Sequence, residues 1–287
     1  MRRLLACALL VVTAACGGGD DTPPVATPSF AASKARVALG SPVDLSYAFD
    51  VAPGAAINGD YRVFVHFIDS DGQQMWTDDH DPPVPTSQWK PGQKVQYTRT
   101  IFMPIFPYHG TARVTMGLYN GPGLEDRLPL NAEGEGREYT VGTIELLPQS
   151  ENIYITFVDG WNNVETASDN SAREWHWMKK AGALTFRNPK KDVTFYLDSD
   201  GRPDLFGAAP QIVTIAVNGV EAHRFTLDNE TPLLRRFELS AAQLGAGETV
   251  RITLDADKAF VPAQMPNMGA DSRELSIRVY HAAIEGK

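Results

Sequence analysis

The feature that most constrains this chain is a period of two. In "VDLSYAFDV", Val43, Leu45, Tyr47, Phe49 and Val51 alternate with small and polar residues. That spacing places the five on one face of a half-buried β-strand. "YRVFVHFID" is apolar on both faces, and "QKVQYTRTIF", "ARVTMGLY" and "REYTVGTIELL" continue the series. After a break at "LLPQSEN", Leu146 to Asn152, a second series runs from "IYITFV" through "GALTFRN", "DVTFYLDS", "QIVTIAVNGVEAHRFTL", "LLRRFELS" and "ETVRITLDAD" to "RELSIRVYHAAI". Asn218-Gly219 sits between two alternating runs, and Asn-Gly accepts the positive φ angles of a type I′ hairpin. "LSAAQLGAG" is the one short helix expected, ending at Gly245. No segment carries a long helical period, and the two halves share a pattern but no repeat. The prediction is an all-β chain of two consecutive antiparallel β-sandwiches, Ig-like or jelly-roll-like, over 34–148 and 149–287.

The N-terminus reads differently. Arg2 and Arg3 precede the apolar run Leu4 to Val12, and Thr13-Ala14-Ala15 precede Cys16. This is the layout of a signal peptide, residues 1–15, too short to span a bilayer. Thr13-Ala14-Ala15-Cys16 resembles the lipobox of bacterial lipoproteins, with Thr13 where leucine is usual. The resemblance implies a diacylglyceryl group on Cys16, cleavage before it and acylation of the new amine. Several acyl chains would then hold an exported protein on the membrane. Gly17, in place of aspartate, implies the outer membrane where a second membrane exists. Cys7 and Cys16 are the only two cysteines, so the expected mature domains carry no thiol or disulfide and rely on core burial. Residues 16–33, rich in Gly, Pro, Thr and Asp, read as lipidated cysteine and flexible linker.

The chain has 26 Lys and Arg against 35 Asp and Glu, and removal of residues 1–15 would take only Arg2 and Arg3. An acidic surface argues against nucleic-acid partners. Gly-x-Ser-x-Gly, His-Glu-x-x-His, a phosphate-binding glycine loop and Cys-x-x-Cys are all absent. A pair of carboxylates brought together in space would leave no such signature.

Three constellations remain. In "WTDDHDPPVP", Asp78 and His80 are candidate metal ligands, although neighbouring strand residues point to opposite faces. "DSDG" occurs at Asp69 and at Asp198, where Asp198 and Asp200 make a second candidate. Both resemble the start of a calcium loop, but the twelve-residue pattern fails, and hairpin turns are the expectation. No cofactor is expected, with Ca²⁺ as the minority alternative. In "GWNNVETASDNSAREWHWMKK", Trp175 and Trp177 share a strand face opposite His176 and read as core. Trp161, placed in a loop, forms the candidate ligand-binding rim with Glu165 and His176.

"YRVFVHFIDSDGQQMWTDDHDPP" and "RVTMGLYNGPGLEDRLPL" resemble the sandwich domains of bacterial sugar-polymer membrane proteins. The second half, with "REWHWM", "ALTFRNP", "FVPAQMP" and "DSRELSIRVY", is similar to carbohydrate-binding-like modules from the same settings. The resemblance implies an envelope role near glycans and no catalytic residue. Arg273, between Asp271 and Glu274, reads as part of a stabilising polar cluster. The expectation is a non-catalytic, lipid-anchored envelope protein that binds glycan or another envelope component. The alternatives are an assembly subunit docking through sandwich edges and a glycan-active enzyme with a hidden carboxylate pair.

Overall fold

The computed structural model describes residues 22–121, 126–170, 173–207 and 209–287. The expected leader and Cys16 lie outside these residues. Among them the chain is nearly all strand, and two separate hydrophobic cores form, one from residues of 25–146 and one from residues of 178–284.

The N-terminal sandwich holds β1 (Ala26–Ala32), β2 (Arg36–Ala38), β3 (Pro42–Val51), β4 (Arg62–Ile68), β5 (Gln74–Thr77), β6 (Lys94–Phe102), β7 (Gly110–Asn120), β8 (Asp126–Leu128), β9 (Gly134–Glu135) and β10 (Glu138–Leu147). One sheet has the order β1-β3-β6. The other has the order β2-β10-β7-β4-β5, with β8 on β7 and β9 on β10. All pairings are antiparallel except that of β2 with β10. The alternation in β3 does what its period dictates: Leu45, Tyr47 and Phe49 are fully buried against Val63, Val65 and Phe67 of β4 and Val114 and Met116 of β7. Each such side chain contributes about 1.5–3 kcal/mol on burial.

The second face of β4 is also covered. The Arg127 guanidinium lies 4.5 Å from the Phe64 ring centroid, and His66 meets Glu138 at 3.2 Å. Gly117 makes room there, since a Cβ would stand 2.4 Å from Phe64. This explains the doubly apolar β4 segment.

The expected linker over 16–33 is corrected in its second half. Ala26–Ala32 pairs in register with β3, and Val25 and Ala26 are buried in the core. Pro28, a reason to read a tether, sits on the edge strand of a three-stranded sheet, where a missing N–H removes no ladder bond.

The C-terminal sandwich holds β11 (Ile155–Thr166), β12 (Glu174–Arg187), β13 (Val193–Asp200), β14 (Gln211–Val217), β15 (Val220–Leu227), β16 (Leu233–Leu239), α1 (Ala241–Leu244), β17 (Thr249–Ala256) and β18 (Arg278–Gly286). Its strands run β15-β14-β17-β12-β18-β13-β16, with β11 beside β12. The fourteen-residue β12 belongs to both layers. Ala181–Arg187 pairs with β17, whereas His176 and Trp177 pair with β18. At the fold between these parts, a Cβ on Gly182 would lie within 3 Å of both Met178 and Trp161. The two layers close over Phe195 and Leu197 of β13, Val213 and Ile215 of β14, and Ile252 and Leu254 of β17.

Asn218 and Gly219 both have positive φ, 49° and 85°, and join β14 to β15 as the type I′ geometry requires. α1 carries a reciprocal capping box between Ser240 and Gln243 and stops at Gly245.

Candidate functional site

Polar and aromatic side chains converge where the two sandwiches meet. Arg236 of β16 donates to Asp44 of β3 (Nη1 to Oδ2, 3.0 Å) and to Thr100 of β6. Lys34 donates to Glu285, which also accepts from the Tyr196 hydroxyl at 2.9 Å. The Asn152 side chain donates to the Leu39 carbonyl at 2.7 Å. Phe102, at the end of β6, stacks on His281 of β18 with centroids 4.4 Å apart and planes 14° apart.

Beside this stack lies a cleft of about 860 Å³, lined by Phe102 and Ile105 from the first sandwich and by Glu174, Asp198, Leu234 and Tyr280 from the second. A hollow of about 220 Å³ continues from it past Trp175, His176 and Phe157. The rings come from β12 and β18, which run side by side, so Trp175 and Tyr280 stand with centroids 5.9 Å apart. Ile105, on the opposite lip, is 67% exposed.

Behind the rings is a buried ion pair. Asp200 is wholly buried, and Arg278 grips it with two bonds of 2.7 Å while the Tyr280 hydroxyl donates to it at 3.0 Å. Burial pushes the Asp200 carboxyl up, and the Arg278 and Tyr280 hydrogen bonds offset this only in part, so it titrates above its ordinary value. The Tyr280 phenol is pushed well up by burial and by the Asp200 charge. The Arg278 guanidinium carbon lies 5.5 Å from the Trp175 and Trp177 rings and 5.6 Å from Tyr280. One cation thus fixes a carboxylate and three aromatic rings.

One group facing the cleft keeps unused bonding capacity. Glu174 is exposed, and no cation or donor engages its carboxylate among the described residues. The Trp175 indole N–H is buried without an acceptor, a condition that costs about 1–3 kcal/mol. Asp198 meets His281 Nδ1 at 3.2 Å.

The sequence-derived rim is divided by the fold. Trp161 lies in β11 and not in a loop. Gly160, at φ 78°, carries a bulge there, and a Cβ on it would stand 1.8 Å from the Ala181 carbonyl oxygen. The bulge turns Trp161 towards the core, where its indole donates to the Ala183 carbonyl at 2.8 Å and its ring meets Phe157 edge-on at 4.7 Å. His176 is on the same face, stacked on Phe157 at 4.6 Å, with Nδ1 donating to the Asn162 carbonyl at 3.1 Å. It is the one member of the trio that lines the cleft's extension. Glu165 pairs opposite Trp175, on the other face, and accepts from Arg273 at 2.6 Å. Arg273 also binds Asp271 and holds its carboxyl down at about 2. The expected polar cluster at "DSREL" therefore includes Glu165.

Trp177 is buried and Trp175 half-buried, in a small cluster of their own with Phe260 and Leu275. That cluster adjoins the cleft and is separate from the main core.

The metal candidates are occupied by protein partners. Asp78 accepts from Arg99 at 2.9 and 3.1 Å and from the Tyr47 hydroxyl at 2.9 Å. His80 donates from Nδ1 to the Asp78 carbonyl at 2.7 Å, and Nε2 accepts from Tyr97 at 2.8 Å. Burial holds the His80 imidazole below its ordinary value, as suits that neutral form. Asp69 makes the expected turn, accepting from the Asp71 and Gln73 amides. The second "DSDG" is corrected: Asp198 and Asp200 belong to β13, where Arg278 and His281 of β18 engage them. Among the described residues, no three His, Cys, Asp or Glu side chains gather as a metal cage.

No family model matches this chain. No curated protein matches it. Among solved structures it is similar to the CBM51-2 and INT domains from Clostridium perfringens ZmpB, at 11% identity over 64% of this chain and 38% of that one, with a TM-score of 0.25. It is also similar to the beta-glucuronidase of Bacteroides uniformis, at 10% identity over 88% and 28%, TM-score 0.30. A third is the collagen adhesin (CNA) from S. aureus, at 7% over 92% and 96%, TM-score 0.19. The chain thus spans 38% and 28% of the first two structures. Likenesses of this extent say nothing of a ligand.

Proposed function

We propose that this chain is a lipid-anchored, non-catalytic envelope protein that binds a glycan in the cleft between its sandwiches. The observation that carries the reading is the cleft's chemistry. The rings of Phe102 and Tyr280 border the cleft together with the carboxylates of Glu174 and Asp198, and Trp175 borders its extension beside Glu174. Aromatic faces accept the C–H surface of a sugar ring, and carboxylates accept its hydroxyls.

Titration calorimetry of the full chain against fractionated envelope polysaccharides tests this. Tyr280→Ala and Phe102→Ala should each weaken binding about tenfold, as expected for about 1.4 kcal/mol of ring contact. Equal binding by wild type and both variants would remove the cleft from the reading. Hydrolysis of the bound polymer, abolished in Glu174→Gln and in Asp198→Asn, would replace binding by catalysis. The anchor is tested separately: Cys16→Ser should release the protein from the membrane pellet. A mutant still retained after a high-salt wash would dismiss lipidation.

A further inference from the structure

We infer that the cleft selects sugars bearing a free amine over neutral or uronic-acid sugars, an inference that rests on the glycan reading above. The fixed charges that line the space, Glu174 and Asp198, are both negative. No lysine or arginine lines either the cleft or its extension among the described residues. Of the nearby cations, Arg278 is committed to Asp200, Arg236 to Asp44, and Arg173 to Asp169 at 2.8 Å; Arg235, near Asp198 but outside the lining, donates to Asn229 Oδ1 at 2.8 Å and to the Leu233 and Thr226 carbonyls. Against them stand Glu174, exposed and unpaired, and Asp198, whose neighbour is the His281 imidazole. Among the described residues, His176 is the only other titratable nitrogen facing the extension, and its Nδ1 is used on the Asn162 carbonyl.

A sugar ammonium entering here gains an attraction to two carboxylates and meets no fixed cation in the lining among the described residues. A uronate meets the same two charges with the wrong sign. An N-acetyl group offers no charge and leaves only the ring and hydroxyl contacts. One carboxylate a few ångströms from an ammonium, at the rim of a protein surface, changes affinity by about tenfold.

The test is calorimetry at pH 7 on the full chain with three short probes: a β-1,4-linked glucosamine dimer, its N-acetylated counterpart and a galacturonate dimer. Dimers limit avidity from diffuse surface charge. The amine should bind at least tenfold tighter than the acetylated dimer, and the uronate most weakly. Glu174→Gln and Asp198→Asn should each reduce the amine's advantage over the acetylated dimer about three- to tenfold. Glu221→Gln, on the far edge strand β15, should leave the advantage unchanged. Equal affinities, a uronate preference, or a Glu221→Gln loss as large as that of Glu174→Gln would overturn the charge rule. Binding of the acetylated dimer alone would overturn it and leave the glycan reading standing. No binding by any of the three, in wild type and Tyr280→Ala alike, would sink both.

Discussion

Replacing Arg278 by Met isolates the ion pair behind the cleft. Asp200 has no solvent exposure, and its two shortest bonds, both 2.7 Å, come from this guanidinium. Met keeps much of the side-chain volume but leaves a buried carboxylate with Tyr280 as its remaining partner. Removing one member of such a pair costs about 3–5 kcal/mol. Lost cation–π contacts with three rings add about 0.5–1 kcal/mol each, partly offset by the thioether packing in their place. The loss should depend on pH. Asp200 already titrates above its ordinary value when folded, and without Arg278 it moves further up. A carboxyl raised by folding contributes most below its unfolded value and loses that contribution as pH rises through its folded value. The variant's deficit should therefore be larger at pH 7.5 than at pH 5, shrinking by up to about 1.4 kcal/mol per unit on acidification. Urea unfolding followed by tryptophan fluorescence reads this directly, because Trp161, Trp175 and Trp177 report on the C-terminal sandwich. Asp200→Asn combined with Arg278→Met should recover most of the loss. A deficit under about 1 kcal/mol, equal at both pH values and unrelieved in the double variant, would refute the assignment.

Trp89→Ala should destabilise the N-terminal sandwich by about 3–5 kcal/mol, since the ring packs 4.9 Å from Phe49 and its indole donates to the Val84 carbonyl; the urea midpoint checks it. Asp78→Ala should cost a similar amount, about 3–5 kcal/mol, because Arg99 and the buried Tyr47 hydroxyl both lose their acceptor. Gly160→Ala should red-shift Trp161 emission and lower stability, as the new Cβ would collide with the Ala181 carbonyl; an unchanged spectrum would mean the bulge does not orient the indole. Arg236→Ala should change stability by less than about 1 kcal/mol, since the pair with Asp44 is partly open to solvent.

What the sequence made legible was whatever has a local cause. Alternation in β3, the Asn218-Gly219 turn and the Ser240 cap follow from residues that touch their near neighbours. The two "DSDG" runs mark the limit. At Asp69 the side chain bonds its own turn, while at Asp198 the same four letters end a strand because β18, some eighty residues on, brings Arg278 and His281 against them. Trp161 read as a loop residue because Gly160 and two asparagines surround it, yet the glycine serves a bulge within β11. The cleft was invisible for a related reason. Phe102, Glu174, Asp198 and Tyr280 come from four strands of two sandwiches, and no spacing along the chain relates them. Of the tryptophan-rich segment, Glu174 to His176 border the cleft and its extension, and Glu165 faces away.

The placement of β12 has a mechanical consequence. One continuous backbone is hydrogen-bonded to β18 near its start and to β17 near its end, along the edge not taken by β11, so peeling these strands apart would require breaking one of the two ladders on that edge. Its first residues, Glu174 to His176, border the cleft, while its last, Leu184 and Phe186, are sealed in the interior. A tug on an occupant of the cleft is thereby transmitted along covalent bonds into the hydrophobic interior, and amides at the two ends of this strand should exchange with deuterium together.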